Sequence, residues 1–408
     1  MRIPQMLVVL WLLVTIVFVT VALAPGDPTL HLALDPEVPR EARLLQQQRL
    51  GLDQSLMVRY GRYVGSLAVG DFGVSMSLYP RSVTGIIAER LPRTVALLGT
   101  ATVLAFVAGF TVGRWAAWRR GTTVDHVTSV VSVAVTTAFV PWVAFTAIWL
   151  FAFEFGWLPS GRLVTPALWR DAPWSANEVI ATIVARSGVV LGVVLITMAV
   201  LRILRGWLRP KVVRFLRGAA VALTITVFGW SWIAHPMRSL AADIVWHAIL
   251  PTITLTVLAF GATALLTRTA MLEAITSPHV AVAAAHGLDD RVVRNRHVAR
   301  VALQPLGASL VLSAAGVVAG SIVFETIFSW PGLGMTFMAA AVSGDVPLVV
   351  GVLVTYAIVF LVLHVVLEIV QPMLDPRVAR AGLLDGWSWI GSSRREDRLP
   401  DPASEGSQ

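Results

Sequence analysis

The chain has 408 residues, 56% apolar and only 14% charged, with a formal net charge of +8 and a mean hydropathy of +0.75. Such a composition excludes a soluble globular domain and indicates an all-α, polytopic membrane protein, since a spanning helix consumes about 20 apolar residues. The 32 basic residues, all arginine except Lys211, gather between apolar runs, so the positive balance reports orientation in a membrane and not nucleic-acid binding.

Uncharged runs long enough to span occur at 7–24, 94–113, 127–153, 218–234, 248–267, 305–324 and 348–367. An eighth, 187–201, is short and bracketed by Arg186 and Arg202. Residues 1–24 read as the first transmembrane helix, retained although Ala22-Leu23-Ala24 resembles a cleavage site. Residues 25–93 follow as an extracytoplasmic segment, with helical stretches predicted at 38–51 and 54–68. Spans two and three occupy 94–162, with Pro141 as a kink or packing device in the third. In the loop between them, Trp115 and Trp118 beside Arg114, Arg119 and Arg120 read as an interfacial anchor. Residues 163–242 read as an inserted hydrophobic hairpin with a basic turn from Arg202 to Arg217. Eight spans result if both its arms cross, six if both lie along the surface. Residues 243–380 form the remaining membrane core with a polar loop at 276–304, and 381–408 read as a disordered tail.

With the N-terminus inside, the short inner loops are 114–126 with three arginines, 202–217 with five and Lys211, and 268–304 with five. The outer loops 235–247 and 325–347 hold one and none. The positive-inside rule therefore places both termini in the cytoplasm. Zero cysteines remove disulfides, thiolate metal sites and cysteine nucleophiles together. No metal-binding motif is present.

The most informative stretch is Ala283-Ala284-Ala285-His286-Gly287. Ser277-Pro278 starts a short helix and Gly287 stops it, while Asp289 can cap a second helix carrying Arg291, Arg294 and His297 before Pro305 opens the next run. Two short helices hinged at a glycine make a knob whose arginines face water or an acidic partner. An ordinary basic loop is the plainer alternative.

Several motifs agree in order with a known family. They are Leu23-Ala24-Pro25-Gly26-Asp27-Pro28, Leu50-Gly51-Leu52-Asp53-Gln54, Gly70-Asp71-Phe72-Gly73, Glu89-Arg90-Leu91-Pro92-Arg93-Thr94 and Phe155-Gly156-Trp157-Leu158-Pro159. Beyond the loop follow Glu325-Thr326-Ile327-Phe328-Ser329-Trp330-Pro331-Gly332-Leu333-Gly334 and Asp375-Pro376-Arg377. Over 1–162 and 243–380 the chain resembles the first of the two membrane subunits of dipeptide, oligopeptide and nickel ABC importers. The resemblance implies six family-type transmembrane helices plus the insertion, in a multi-pass protein of the bacterial plasma membrane. It implies a second homologous permease subunit, ATP-binding subunits that hold ATP and Mg²⁺, and an external binding protein that delivers peptide or a nickel complex. No cofactor is expected on this chain. Its knob is then a coupling loop formed by Ala283, Ala284, Ala285, Gly287, Asp289, Arg291, Arg294, His297 and Pro305. Two departures stand out. About 80 residues intervene where the family has a short loop, and Ala281-Val282-Ala283-Ala284-Ala285 replaces the usual basic and polar residues of the first coupling helix.

Other functions fit less well. A secondary transporter shows related halves around midplane charges, and no internal repeat is visible. An intramembrane hydrolase requires a motif such as His-Glu-x-x-His, which is absent, and no phosphate-binding loop surrounds the single lysine. His364 and Glu368 stand four apart on one helix face, as a proton relay or as a packing pair. The family's acid at the Glu368 position and amide at the His364 position favour packing. Glu325 either contacts a docking protein or caps the turn into Trp330-Pro331-Gly332.

Overall fold

The structure, a computed structural model, describes residues 3–23, 54–203, 210–299, 301–303, 306–307 and 320–374. The 38–51 helix, most of the run 305–324, Pro305 and the tail 381–408 lie outside them. Among the described residues the fold is helical, and the one strand-like feature is an isolated bridge between Val74 and Ser82. In chain order the helices are α1 (Ile3–Leu23), α2 (Leu56–Ala68), α3 (Val83–Trp118), α4 (Thr123–Thr137), α5 (Val140–Ile148), α6 (Ala176–Ile203) and α7 (Pro210–Ile233). There follow α8 (Arg238–Ile275), α9 (Pro278–Ala285), α10 (Leu333–Val342) and α11 (Val346–Leu374). Among the described residues, by length and composition, five helices qualify as membrane spans, and six if the bent pair formed by α4 and the segment Val140–Glu154 counts as one.

The centre of the molecule is the pairing of α3 with α8. At 36 and 38 residues these helices are about 54 and 57 Å long, well beyond a bilayer core of about 30 Å. Along α3 the small residues Ala101, Ala105, Gly109, Gly113 and Ala117 recur every fourth position, and all are buried. A Cβ added at Gly113 would lie 2.4 Å from the Ala264 carbonyl oxygen, and one at Gly109 2.7 Å from Thr263. Small residues at this spacing let two backbones approach closely, which in lipid replaces the hydrophobic driving force as the source of association. The next helix packs the same way: a Cβ at Gly261 of α8 would meet the Ser132 carbonyl oxygen of α4 at 2.4 Å.

Three boundaries differ from the sequence reading. Span two begins eleven residues early, at Val83, because the Ser82 side chain caps it by accepting from the Gly85 N–H at 3.2 Å. Glu89, Arg90 and Arg93 thus ride on the same helix, and Pro92 is carried inside it. The run 127–153 is not one rod. It breaks after Thr137 and turns by 100° into Val140–Glu154, with Pro141 in the first turn of α5, where its missing N–H costs no hydrogen bond. The third difference concerns the short run 187–201. Its helix α6 starts at Ala176 behind a reciprocal cap: the Ser175 N–H donates to the Glu178 carboxylate at 2.7 Å, and the Glu178 N–H donates back to the Ser175 hydroxyl at 3.3 Å. Arg186 lies inside that helix, donating to the Ser231 carbonyl oxygen at 3.1 Å and stacking over Trp232. Both hairpin arms are therefore long helices, paired with each other and each apolar enough to cross a membrane.

The close approach of α3 and α8 sets a test. Gly113→Val forces its side chain into the α8 backbone and is expected to destabilise the fold by about 1–3 kcal/mol. Gly99→Ala, on the same helix with open space around it, is expected to be neutral or slightly stabilising. Thermal unfolding of the detergent-solubilised protein distinguishes the two; equal midpoints refute the close-packing account.

Candidate functional site

The knob forms as the local sequence dictates. Pro278 occupies the first helical position of α9, and the chain reverses at Gly287, whose φ of +72° is open to glycine at little cost. The Asp289 carboxylate then accepts the Arg291 N–H at 2.7 Å, capping the turn Asp290–Val292, and wider helical turns continue through Val293–Val298. Val280, Val293, Val298 and Ala299 pack on Ala270, Met271 and Ala274 at the end of α8 and on Ala117 of α3. The knob is thus seated directly on the two central helices.

This seating divides the sequence-predicted residues. Ala283 is buried, whereas Ala285, Gly287, Asp289 and Arg291 are exposed at the tip. Arg294 does not point freely to water: it is half-buried, with its guanidinium 5.6 Å over the Trp118 ring. The side chains of Ala284 and His297, and Pro305, lie outside the described residues. The tip also carries exposed Val282, Leu288 and Val292, which the sequence reading did not single out. Beside it, Asp125 is 2% exposed and accepts two hydrogen bonds from Arg268, at 2.5 and 3.0 Å, joining α4 to α8.

At the other end of α3 two of the sequence motifs interlock. Glu325 is fully buried and accepts from the Thr94 hydroxyl at 2.8 Å, the Gly334 N–H at 2.7 Å and the Met335 N–H at 3.1 Å. Of the two roles left open for Glu325, the structure shows the turn cap. Contact with a docking protein is excluded by its burial. The Leu333 N–H donates to the Thr94 hydroxyl at 2.7 Å, and the Trp330 indole N–H donates to the Arg93 carbonyl oxygen at 3.2 Å. The Pro331 carbonyl oxygen accepts from Arg90 and Arg93. Gly332 is obligatory here, because a Cβ would stand 2.4 Å from the Thr94 hydroxyl. We refer to this assembly, residues 89–94 with 325–335, as the clamp.

A third buried carboxylate, like Asp125, went unnoticed in the sequence. Asp345 accepts from the Ser75 hydroxyl at 2.5 Å, from the Ser77 N–H and hydroxyl at 2.9 and 2.7 Å, and from the Leu348 N–H at 3.2 Å, so it both caps α11 and ties down the loop before α3. Its signal was an acid three residues ahead of a long apolar run. His364 lies on α11 with its ring near Phe360, and the Glu368 side chain is outside the described residues. Among the described residues no cluster of three or more acids and histidines could hold a metal.

Comparison with known proteins decides what these parts belong to. A model of the family described as binding-protein-dependent transport system inner membrane component matches residues 109–380. The chain belongs to this family. It is thus a membrane permease component of a binding-protein-dependent transporter. Among its relatives are the dipeptide transport system permease of Alkalihalophilus pseudofirmus, 26% identical with 89% of this chain and 93% of the relative covered, and a putative peptide transport system permease of Brucella abortus, 28% identical with 92% and 97% covered. The di/tripeptide transport system permease of Pseudomonas aeruginosa is 29% identical, with 88% and 92% covered. In this permease the family match runs from the last third of α3 through the knob and the 325–335 half of the clamp.

Removal of the Glu325 carboxylate strands the buried Gly334 N–H and the part-buried Met335 N–H. Glu325→Ala is expected to destabilise the solubilised protein by about 1–3 kcal/mol per unsatisfied group, and Glu325→Gln, which keeps an acceptor, by less. Equal thermal midpoints for Glu325→Ala and the parent chain would contradict the clamp.

Proposed function

We propose that the chain forms half of the translocation pathway of an ATP-driven importer, paired with a second homologous permease subunit and accepting di- or oligopeptides from an external binding protein. ATP and Mg²⁺ belong to separate partner subunits. Nothing in this chain provides a phosphate-binding loop, and its one lysine stands between Pro210 and Val212. The arginine distribution supports a cytoplasmic location for the knob and both termini.

The observation that carries this reading is the Gly287 knob: a turn with an exposed, mixed apolar and charged tip, seated on the ends of the two central helices. Such a knob passes a push from a docked ATPase subunit into α3 and α8 without loose chain between. Peptide as cargo is supported by the relatives named above, and a nickel complex is the rival cargo.

Proline fixes φ near −65°, opposite in sign to the +72° at Gly287. Gly287→Pro is therefore expected to leave assembly and ligand capture by the binding protein intact while binding-protein-stimulated ATP hydrolysis and uptake in liposomes fall about tenfold or more, the equivalent of about 1.4 kcal/mol of lost coupling. Full coupling in an assembled Gly287→Pro complex refutes the reading. The ligand released by the co-purified binding protein separates peptide from nickel complex, and the purified chain alone is expected to hydrolyse no ATP.

A further inference from the structure

We infer that the first part of the insertion, residues 163–185, is a brace on the clamp, with Asn177 as its positioning residue. This rests on the importer reading above and assigns work to a segment that lies between the two family-like stretches of the sequence.

The insertion is not one body. Its first part is built into the centre of the fold. Leu163, Val179 and Ile180 are buried in one cluster with Leu97 of α3, Ile244 of α8 and the Trp330 ring of the clamp. Asp243, also on α8, accepts from the Thr165 N–H and hydroxyl at 2.9 and 2.7 Å and from the Trp169 indole at 2.8 Å. Entry to the segment is tied to the clamp too, since the Arg162 N–H donates to the Phe328 carbonyl oxygen at 2.9 Å. The rest of the hairpin differs. Its arms meet each other through Arg186 and Ser231, and no residue of the most apolar stretch of 215–233 is buried within the chain.

Asn177 joins brace to clamp with both ends of its amide. Its Nδ2 donates to the Glu89 carbonyl oxygen at 2.7 Å and its Oδ1 accepts from Arg93 Nε at 2.8 Å. The same Arg93 guanidinium reaches Glu89 at 3.0 Å and the Pro331 carbonyl oxygen at 3.4 Å. Asn177 therefore acts through Arg93 to fix the loop 330–332, while Val179 and Ile180 share the buried cluster that holds the Trp330 ring. The clamp residues Glu89, Arg90 and Arg93 stand on α3, which also seats the knob at Ala117. A push on the knob along α3 arrives at a clamp the insertion holds, so the brace sets how readily that end yields.

The first experiment needs no partner subunit. The chain has no native cysteine, so Val179→Cys, at a position with 0% exposure, places a single reporter thiol under the brace. In the solubilised chain it is expected to react slowly with a soluble maleimide, and about threefold to tenfold faster when Asn177→Ala is added, the population shift that loss of its two part-buried hydrogen bonds produces. Equal labelling rates overturn the brace whatever the chain transports.

In the reconstituted complex, Asn177→Ala is expected to raise unstimulated ATP hydrolysis and shrink the stimulation by binding protein by a similar factor. Replacing residues 190–226 by a short flexible linker is expected to leave both unchanged. An assembled Asn177→Ala complex with parental basal and stimulated rates overturns the proposal, as does loss of uptake on removing only the distal arms. A parental complex without stimulated hydrolysis, alongside faster labelling in Asn177→Ala, rejects the importer reading and leaves the brace standing.

Discussion

The close approach of Val83–Trp118 to Arg238–Ile275 is the constraint on which the rest of the structure leans. Lipid tails are as apolar as leucine, so two membrane helices gain nothing by hiding apolar surface from them; they gain by packing and by bringing backbones together. The fourfold repeat of Ala101, Ala105, Gly109, Gly113 and Ala117 supplies that proximity over four helical turns. Both functional ends are then extensions of one rigid pair. Ala117 and Ala274 receive the knob at one end, while Leu97 and Ile244 receive Trp330 and the brace at the other.

Three buried acids finish the ends of this pair, each at a place where a loop must be held against a helix. Asp125 faces Arg268, Glu325 faces Thr94 and two backbone N–H groups, and Asp345 faces Ser75, Ser77 and the start of α11. A buried carboxylate is costly unless its oxygens are satisfied, and removal of one partner leaves the other stranded. These groups therefore specify geometry more than they add net stability. Each demands one arrangement of a turn and penalises its neighbours.

Much of this was legible in the sequence where one local rule governs the outcome. The Gly287 reversal, the Pro278 start and the Asp289 cap follow from backbone sterics and capping alone, and the structure reproduces all three. The family motifs were legible as an ordered series, but not as contacts, since nothing local says that Thr94 and Glu325, 231 positions apart, share a hydrogen bond. Charge counting misjudged the 187–201 run because Arg186 is satisfied by Ser231 and Trp232 inside a helix pair; the Ser175-x-x-Glu178 box was the signal that the helix starts earlier. The run 127–153 looked like one straight rod because hydropathy carries no direction, and only Pro141 hinted at the bend. Arg294 read as a solvent-facing charge because its partner, Trp118, is distant in sequence.

A permease must occupy at least two states, and a ligand or nucleotide shifts between them only through interactions that differ in the two. The clamp limits what those states are. Its donors and acceptors are shared among Thr94, Glu325 and residues 333–335, so a partial opening would leave buried groups without partners, at about 1–3 kcal/mol each. It therefore either moves as a closed unit or opens fully into water, where solvent replaces every lost bond. The α3 and α8 pair cannot bend to absorb the difference, because the backbones of Gly113 and Ala264 already lie too close to admit even a Cβ between them. Motion is left to the turns at the two ends and to the break between Thr137 and Val140, where a 100° change of direction is made by only two residues outside helical geometry.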